Sequence, residues 1–163
     1  MASDFPAFLA YGEPWTPIVQ EMPILSTDTS VAGELVYYDT ADDTVKECGA
    51  DPSLILGIIL GPGPASTRLQ KPLPYATQTT QPVAILTPNI VVGLCSATTP
   101  AKTQTFRADG STYGIAKLSS GNWSVDTTDT SNRRVTVLRV DIANGVFYVR
   151  FLAANLQGDA ILS

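Results

Sequence analysis

The sequence predicts an all-β protein: a small β-barrel, β-tulip or sandwich of short antiparallel strands, with an extended N-terminal arm. Three observations lead there. No stretch of ten or more residues repeats its apolar side chains with the 3.6-residue period of a helix. Short runs rich in Val, Ile, Thr and aromatics are instead parted by Gly, Pro, Asn and Asp, at the spacing of roughly eight to ten strands in a barrel or sandwich. Near the C-terminus, VTVLRVDI and VFYVRFL flank Ala143-Asn144-Gly145, and Asn-Gly is a strong hairpin signal.

Taken in order, residues 1–25 stand apart as an arm, and 26–163 read as a single β domain. Pro6, Pro14, Pro17 and Pro23 break any helix or long strand and favour an extended path. Phe5, Phe8, Tyr11 and Trp15 place four of the thirteen aromatics in the first 15 residues. An extended segment cannot bury four aromatics against itself, so they lie on the protein's own body or on a neighbour. The neighbour is favoured here, and these four are the expected partner-binding contacts.

Beyond the arm, VAGELVYY and TVKEC form a hairpin over the turn DTADD. Asp51-Pro52 starts a turn or one short helical turn, since Pro suits the first helical position and Asp can cap it. LILGIIL reads as a short buried strand whose Gly57 marks a bulge or a close backbone approach. Residues 61–82 open with GPGPAS, carry further prolines and read as a long loop. PVAILTPNIVVGLC gives two apolar strands around Pro88-Asn89. A polar connection then reaches Asp109-Gly110, which turns into STYGIAKL. Ser120-Gly121-Asn122 turns that strand into NWSVD, and TTDTSN is a solvated loop.

The closing hairpin can be assigned a register. With Asn144-Gly145 as a two-residue loop, Ile142 faces Phe147, Val140 faces Val149, and Leu138 faces Phe151, making one apolar face. The other face then carries Asp141 opposite Tyr148 and Arg139 opposite Arg150, with Asp141 diagonally near Arg150. Arg139, Asp141 and Arg150 thus form a candidate surface polar cluster.

Composition narrows the function. At 163 residues there is room for one domain with its own core. With 44% apolar and 15% charged residues, the chain is folded and much of its surface is uncharged, which suits a protein covered by partners. The net charge of −5 and the scattered cations argue against nucleic acid, whose backbone needs clustered cations to displace counterions. No run approaches the roughly 20 apolar residues that cross a bilayer, so no membrane is expected. The N-terminus lacks the basic-then-apolar pattern of a signal peptide, which places maturation in a cytoplasm. There Cys48 and Cys95 are expected as buried free thiols rather than a disulfide.

Reactive chemistry is sparse. The chain has no histidine, which removes the commonest general base and metal ligand, and every Ser-His or Cys-His dyad. Asp39, Asp42 and Asp43 could offer oxygens to calcium, but the spacing lacks the Gly and terminal Glu of a calcium loop, and a solvated turn fits better. Asp126-Thr127-Thr128 lacks the Gly of an aspartic-protease triplet, and Gly61-Pro62-Gly63-Pro64 lacks the donors of a phosphate loop. No enzymatic activity, metal or cofactor is expected.

Gly33-Glu34-Leu35-Val36, Ala50-Asp51-Pro52, Ile55-Leu56-Gly57-Ile58 and Pro82-Val83-Ala84-Ile85 follow one another in an order that resembles the capsid decoration, or cement, proteins of tailed bacteriophages. The resemblance covers roughly residues 1–100. It implies a β-barrel or β-tulip that binds the outside of an assembled capsid, with the major capsid protein as partner and the virion exterior as location. It also implies a homo-oligomer, a trimer before a dimer. The competing expectation is a ligand- or carbohydrate-binding β-sandwich, such as a phage fibre or tail component, with Trp123, Tyr113 and Tyr148 as a sugar-stacking platform.

Overall fold

The computed structural model describes residues 4–10, 18–25, 31–60, 78–96 and 112–157. In chain order the described strands are β1 (Phe8–Ala10), β2 (Ile18–Leu25), β3 (Leu35–Asp39), β4 (Thr44–Glu47), β5 (Gly57–Ile59) and β6 (Gln78–Ile85). They continue with β7 (Val91–Cys95), β8 (Thr112–Lys117), β9 (Trp123–Asp126), β10 (Val135–Asp141) and β11 (Val146–Phe151). Among the described residues the only helical element is a 3-10 turn, Ala153–Asn155, and no helix is long and apolar enough to cross a membrane.

The protein is all-β and built from two sheets. The first runs β7-β11-β10-β8-β9 and closes on itself as a five-stranded barrel through a parallel bridge, Cys95 to Ser124. β1 adds to the same edge of β7, antiparallel, at Val91–Gly93. Side chains fill the barrel, as they must at this strand number: Val92, Leu94, Ile115, Trp123, Val137, Phe147 and Val149 are all in one buried cluster.

The second sheet runs β2-β6-β5-β3-β4, antiparallel throughout. It packs one face on the barrel and curls its other face around a core of its own. Leu35, Ile55, Ile58 and Leu86 join the barrel's cluster, whereas Val36, Leu56, Ile59, Val83 and Ile85 meet Met22, Ile24 and Val45 in a second one. This explains the unbroken apolar run LILGIIL, because a strand covered on both faces has no polar side to alternate with. Gly57 sits where β5 crosses Ala84 so closely that a Cβ would run into the Ala84 carbonyl, the close approach expected there.

The C-terminal hairpin forms, but in another register. Val140 pairs with Phe147, Arg139 with Tyr148, Val137 with Val149 and Val135 with Phe151. Two causes shift it. The Asp141 carboxylate accepts hydrogen bonds from Asn144 N–H (3.1 Å) and Asn144 Nδ2 (2.8 Å), which widens the loop to residues 142–145 with Gly145 at φ +66°. A bulge at Leu138 then brings Val135, Val137 and Val140 onto one buried face. Ile142 and Leu138, expected inside, are only half-buried.

Prolines also proved less disruptive than expected. Pro23 lies within the eight-residue β2, and Pro82 within β6, which begins at Gln78, inside the span read as a loop. Both positions tolerate a missing N–H. β2 is an edge strand, and Pro82 lies beyond the last β5–β6 pair, Ile59 with Val83. The rest of that loop, 61–77, and the Asp109-Gly110 turn lie outside the described residues.

The fold divides the N-terminal arm. Residues 4–10 belong to the barrel: Asp4 Oδ1 accepts from Ser120 Oγ (2.8 Å) and Asn122 Nδ2 (2.7 Å), Ala7 is buried, and β1 pairs with β7. Gly33, at φ +89°, lets Pro6 and Ala7 pass where a Cβ would collide with them. Residues 18–25 belong to the second sheet, pairing with β6 over eight positions and placing Met22 and Ile24 in its core.

Candidate partner-binding site

One row of residues crosses four strands on the outer wall of the barrel. Phe8 of β1 pairs with Gly93 of β7, Gly93 with Tyr148 of β11, and Tyr148 with Arg139 of β10. Cross-strand neighbours share a face, so the four positions form a ladder. Gly93 is its key. Having no side chain, it lets the Phe8 ring lie across β7 in the space a Cβ would take. Phe8 thereby meets the Tyr148 ring edge-on, with centroids 6.3 Å apart at 86°. On the far side the Arg139 guanidinium lies 5.3 Å from the centre of the same ring. Phe5 extends the row, its ring 5.8 Å from that of Phe8. Such edge-to-face and cation–π contacts contribute about 0.5–1.5 kcal/mol each, enough to fix side-chain directions.

The row thus joins residues expected to act separately: Phe5 and Phe8 of the arm, and Arg139 of the polar cluster. Phe8 remains 39% exposed despite these contacts. With Val91 and Leu138, the row borders a shallow groove of about 400 Å³. Tyr11 and Trp15 lie outside the described residues. Arg139 faces Tyr148 instead of Arg150, and Arg150 is exposed opposite Thr136. Asp141 turns its carboxylate to Asn144, whose hydrogen bonds, ahead of the nearby Arg139 charge, hold it below the usual carboxylate range.

One of this site's two determinants carries a sequence signal and the other does not. Gly93 sits mid-strand in IVVGLC, where a glycine marks a close approach just as Gly57 does. The bulge that swings Arg139 beside Tyr148 had none, because Val-Thr-Val-Leu-Arg-Val alternates equally well in two registers.

Other candidate groups are engaged elsewhere. Lys46 Nζ pairs with Asp39 (2.7 Å) and with Asp42, and Tyr38 OH donates to Asp43, so the acidic turn satisfies itself. Asp126 accepts from Thr128 Oγ1 (2.6 Å) and N–H (2.9 Å), and Asp129 from Ser131 and Asn132, so both carboxylates build the 127–132 loop. Cys48 and Cys95 are buried free thiols, and burial pushes the Cys48 thiol up to about 12. Trp123 is wholly buried in the barrel, and its Nε1–H has no acceptor among the described residues. It offers no face to a sugar.

No protein-family model, curated protein or solved structure matches this chain.

Proposed function

We propose that this protein is a structural component that docks on the outside of a tailed-bacteriophage capsid and stabilises it, with the major capsid protein as its partner. The observation that carries the reading is the ladder Phe8–Gly93–Tyr148–Arg139: an exposed Phe, a half-buried Tyr and an exposed Arg held side by side on the barrel wall, the residue types that dominate interface energies. Anything that binds only the assembled state shifts assembly by mass action, so a docking protein stabilises a shell without performing a reaction. The motifs that resemble decoration proteins fall in and around the second sheet, apart from this ladder. A net charge of −5 favours a position outside the shell, away from packaged nucleic acid. A homo-oligomer, trimeric before dimeric, belongs to this reading. Burial of Trp123 weighs against the sugar-platform alternative.

Co-sedimentation tests it. The full-length protein is mixed with capsids assembled from the major capsid protein encoded beside it. Saturable binding at a fixed ratio, with capsids that resist heating better, is the expected result. Protein left in the supernatant at all concentrations, or a genomic neighbourhood without a capsid gene, would refute the assignment.

A further inference from the structure

We infer that the groove beside Tyr148 receives an acidic side chain flanked by an apolar or aromatic one, projecting from a protein partner. The inference rests on the docking reading above and specifies the chemistry of the surface that is met. Four observations carry it. Arg139 is exposed, yet the ion pairs of the described residues use Lys46, Lys117 and Arg134 and none uses Arg139. The nearest acid along the strand, Asp141, has Oδ1 and Oδ2 engaged by Asn144. The Arg139 guanidinium lies 5.3 Å from the centre of the Tyr148 ring, and its fork of N–H donors matches a carboxylate. Phe8, Val91 and Leu138 supply an apolar border directly beside it.

Electrostatics points the same way. The molecule carries −5 overall, but Arg139 and Arg150 both project from the outer face of β10 and β11. A negative segment approaching this wall meets a local attraction despite the net negative charge of the whole chain. The groove is shallow and open, so it suits side chains presented by a surface loop better than an engulfed small molecule.

The test is an NMR titration of the full-length protein with two capped peptides, acetyl-Val-Phe-Glu-Val-amide and its Gln counterpart, and with glucuronate. The Glu peptide should shift the Arg139 Nε–H and the ring signals of Phe8 and Tyr148. It should bind about threefold to fivefold tighter than the Gln peptide, the range for a solvent-exposed charge pair, and lose that advantage at high salt. Arg139→Gln should abolish the difference, and Arg139→Lys should restore only part of it, because a point charge lacks the fork. Equal binding of both peptides, shifts confined to other surfaces, or glucuronate matching the Glu peptide would overturn the inference. The peptides decide the groove and co-sedimentation decides the capsid reading. Wild-type capsid binding unchanged by Arg139→Gln would sink the groove while sparing the function.

Discussion

At the scale of single residues, Gly57 and Gly93 both lack a side chain because something else fills the space, and the two obstacles differ in kind. At Gly57 it is the Ala84 carbonyl, part of a sheet covered on both faces; at Gly93 it is the tip of the Phe8 ring. Backbone cannot step aside, so Gly57→Ala should cost about 1–3 kcal/mol in chemical denaturation. Gly93→Ala should cost no more than the edge-to-face contact it displaces, about 0.5–1.5 kcal/mol, while visibly moving the Tyr148 ring resonances. The same glycine logic makes Gly57 readable in the sequence, and it would have found Gly93. Gln157 had no such signal: its Oε1 accepts from Tyr38 N–H (2.8 Å) and its Nε2 donates to Tyr38 O (3.2 Å), a pairing visible only once the chain has returned. Cys48 gives a chemical prediction. Burial raises its pKa from 9.0 to about 12, so its contribution to stability is complete below 9.0 and is lost as pH rises toward 12. In native protein at neutral pH it should resist iodoacetamide, and it should react promptly once the chain is unfolded; fast native labelling would contradict its placement.

Individual elements were legible where local chemistry decides them and illegible where a side chain overrides it. Asn144-Gly145 announced the last hairpin, but the hydrogen bonds of Asp141 to Asn144 lengthened its loop and the Leu138 bulge moved its register. Val140, Phe147, Val149 and Phe151 are buried in either register, because each lies on a stretch of strand where both alternations agree. Phe151, 2% exposed, sits opposite Val135 at the closed end of that face, and Phe151→Ala should cost about 3–5 kcal/mol. Ile142→Ala, at a half-buried position in the loop, should cost distinctly less. A reversed order in urea midpoints would restore the two-residue turn. Pro23 and Pro82 misled for a related reason, since a proline reads as a strand-breaker until the strand is known to be an edge or the proline is known to lie beyond the last paired residue of its neighbour.

For the whole molecule, one sheet buried on both faces couples two cores, and residues 4–10 are built into the barrel. Removing residues 2–10 takes away β1, the buried Ala7 and the Asp4 tether. A loss of about 2 kcal/mol corresponds to a melting temperature about 4–8 °C lower at this size; an unchanged Tm would show the segment to be a detachable arm. Acid should also weaken the fold. Hydrogen bonds from Asn132 and Ser131 hold Asp129, and those from Thr128 hold Asp126, below the ordinary value of 3.8. Their stabilisation is therefore present above 3.8 and is lost as pH falls through the lowered values. Glu34 acts oppositely: burial raises it above 4.5, so its contribution is complete below 4.5 and fades as pH rises through the raised value. Urea midpoints should accordingly fall on acidification below 3.8, where the Glu34 contribution no longer changes and those of the two aspartates are being lost. The central claim is that the barrel wall bearing Phe8, Tyr148 and Arg139 is the face that meets the partner. Hydroxyl-radical footprinting of the protein, free and bound to capsids, tests that most directly, because Phe and Tyr rings report their own solvent contact. The account predicts protection of Phe8 and Tyr148 on binding, with the exposed Ile18 and Val19 of β2 unchanged. Protection of Ile18 and Val19 with Phe8 and Tyr148 still reactive would place the interface on the second sheet and contradict it.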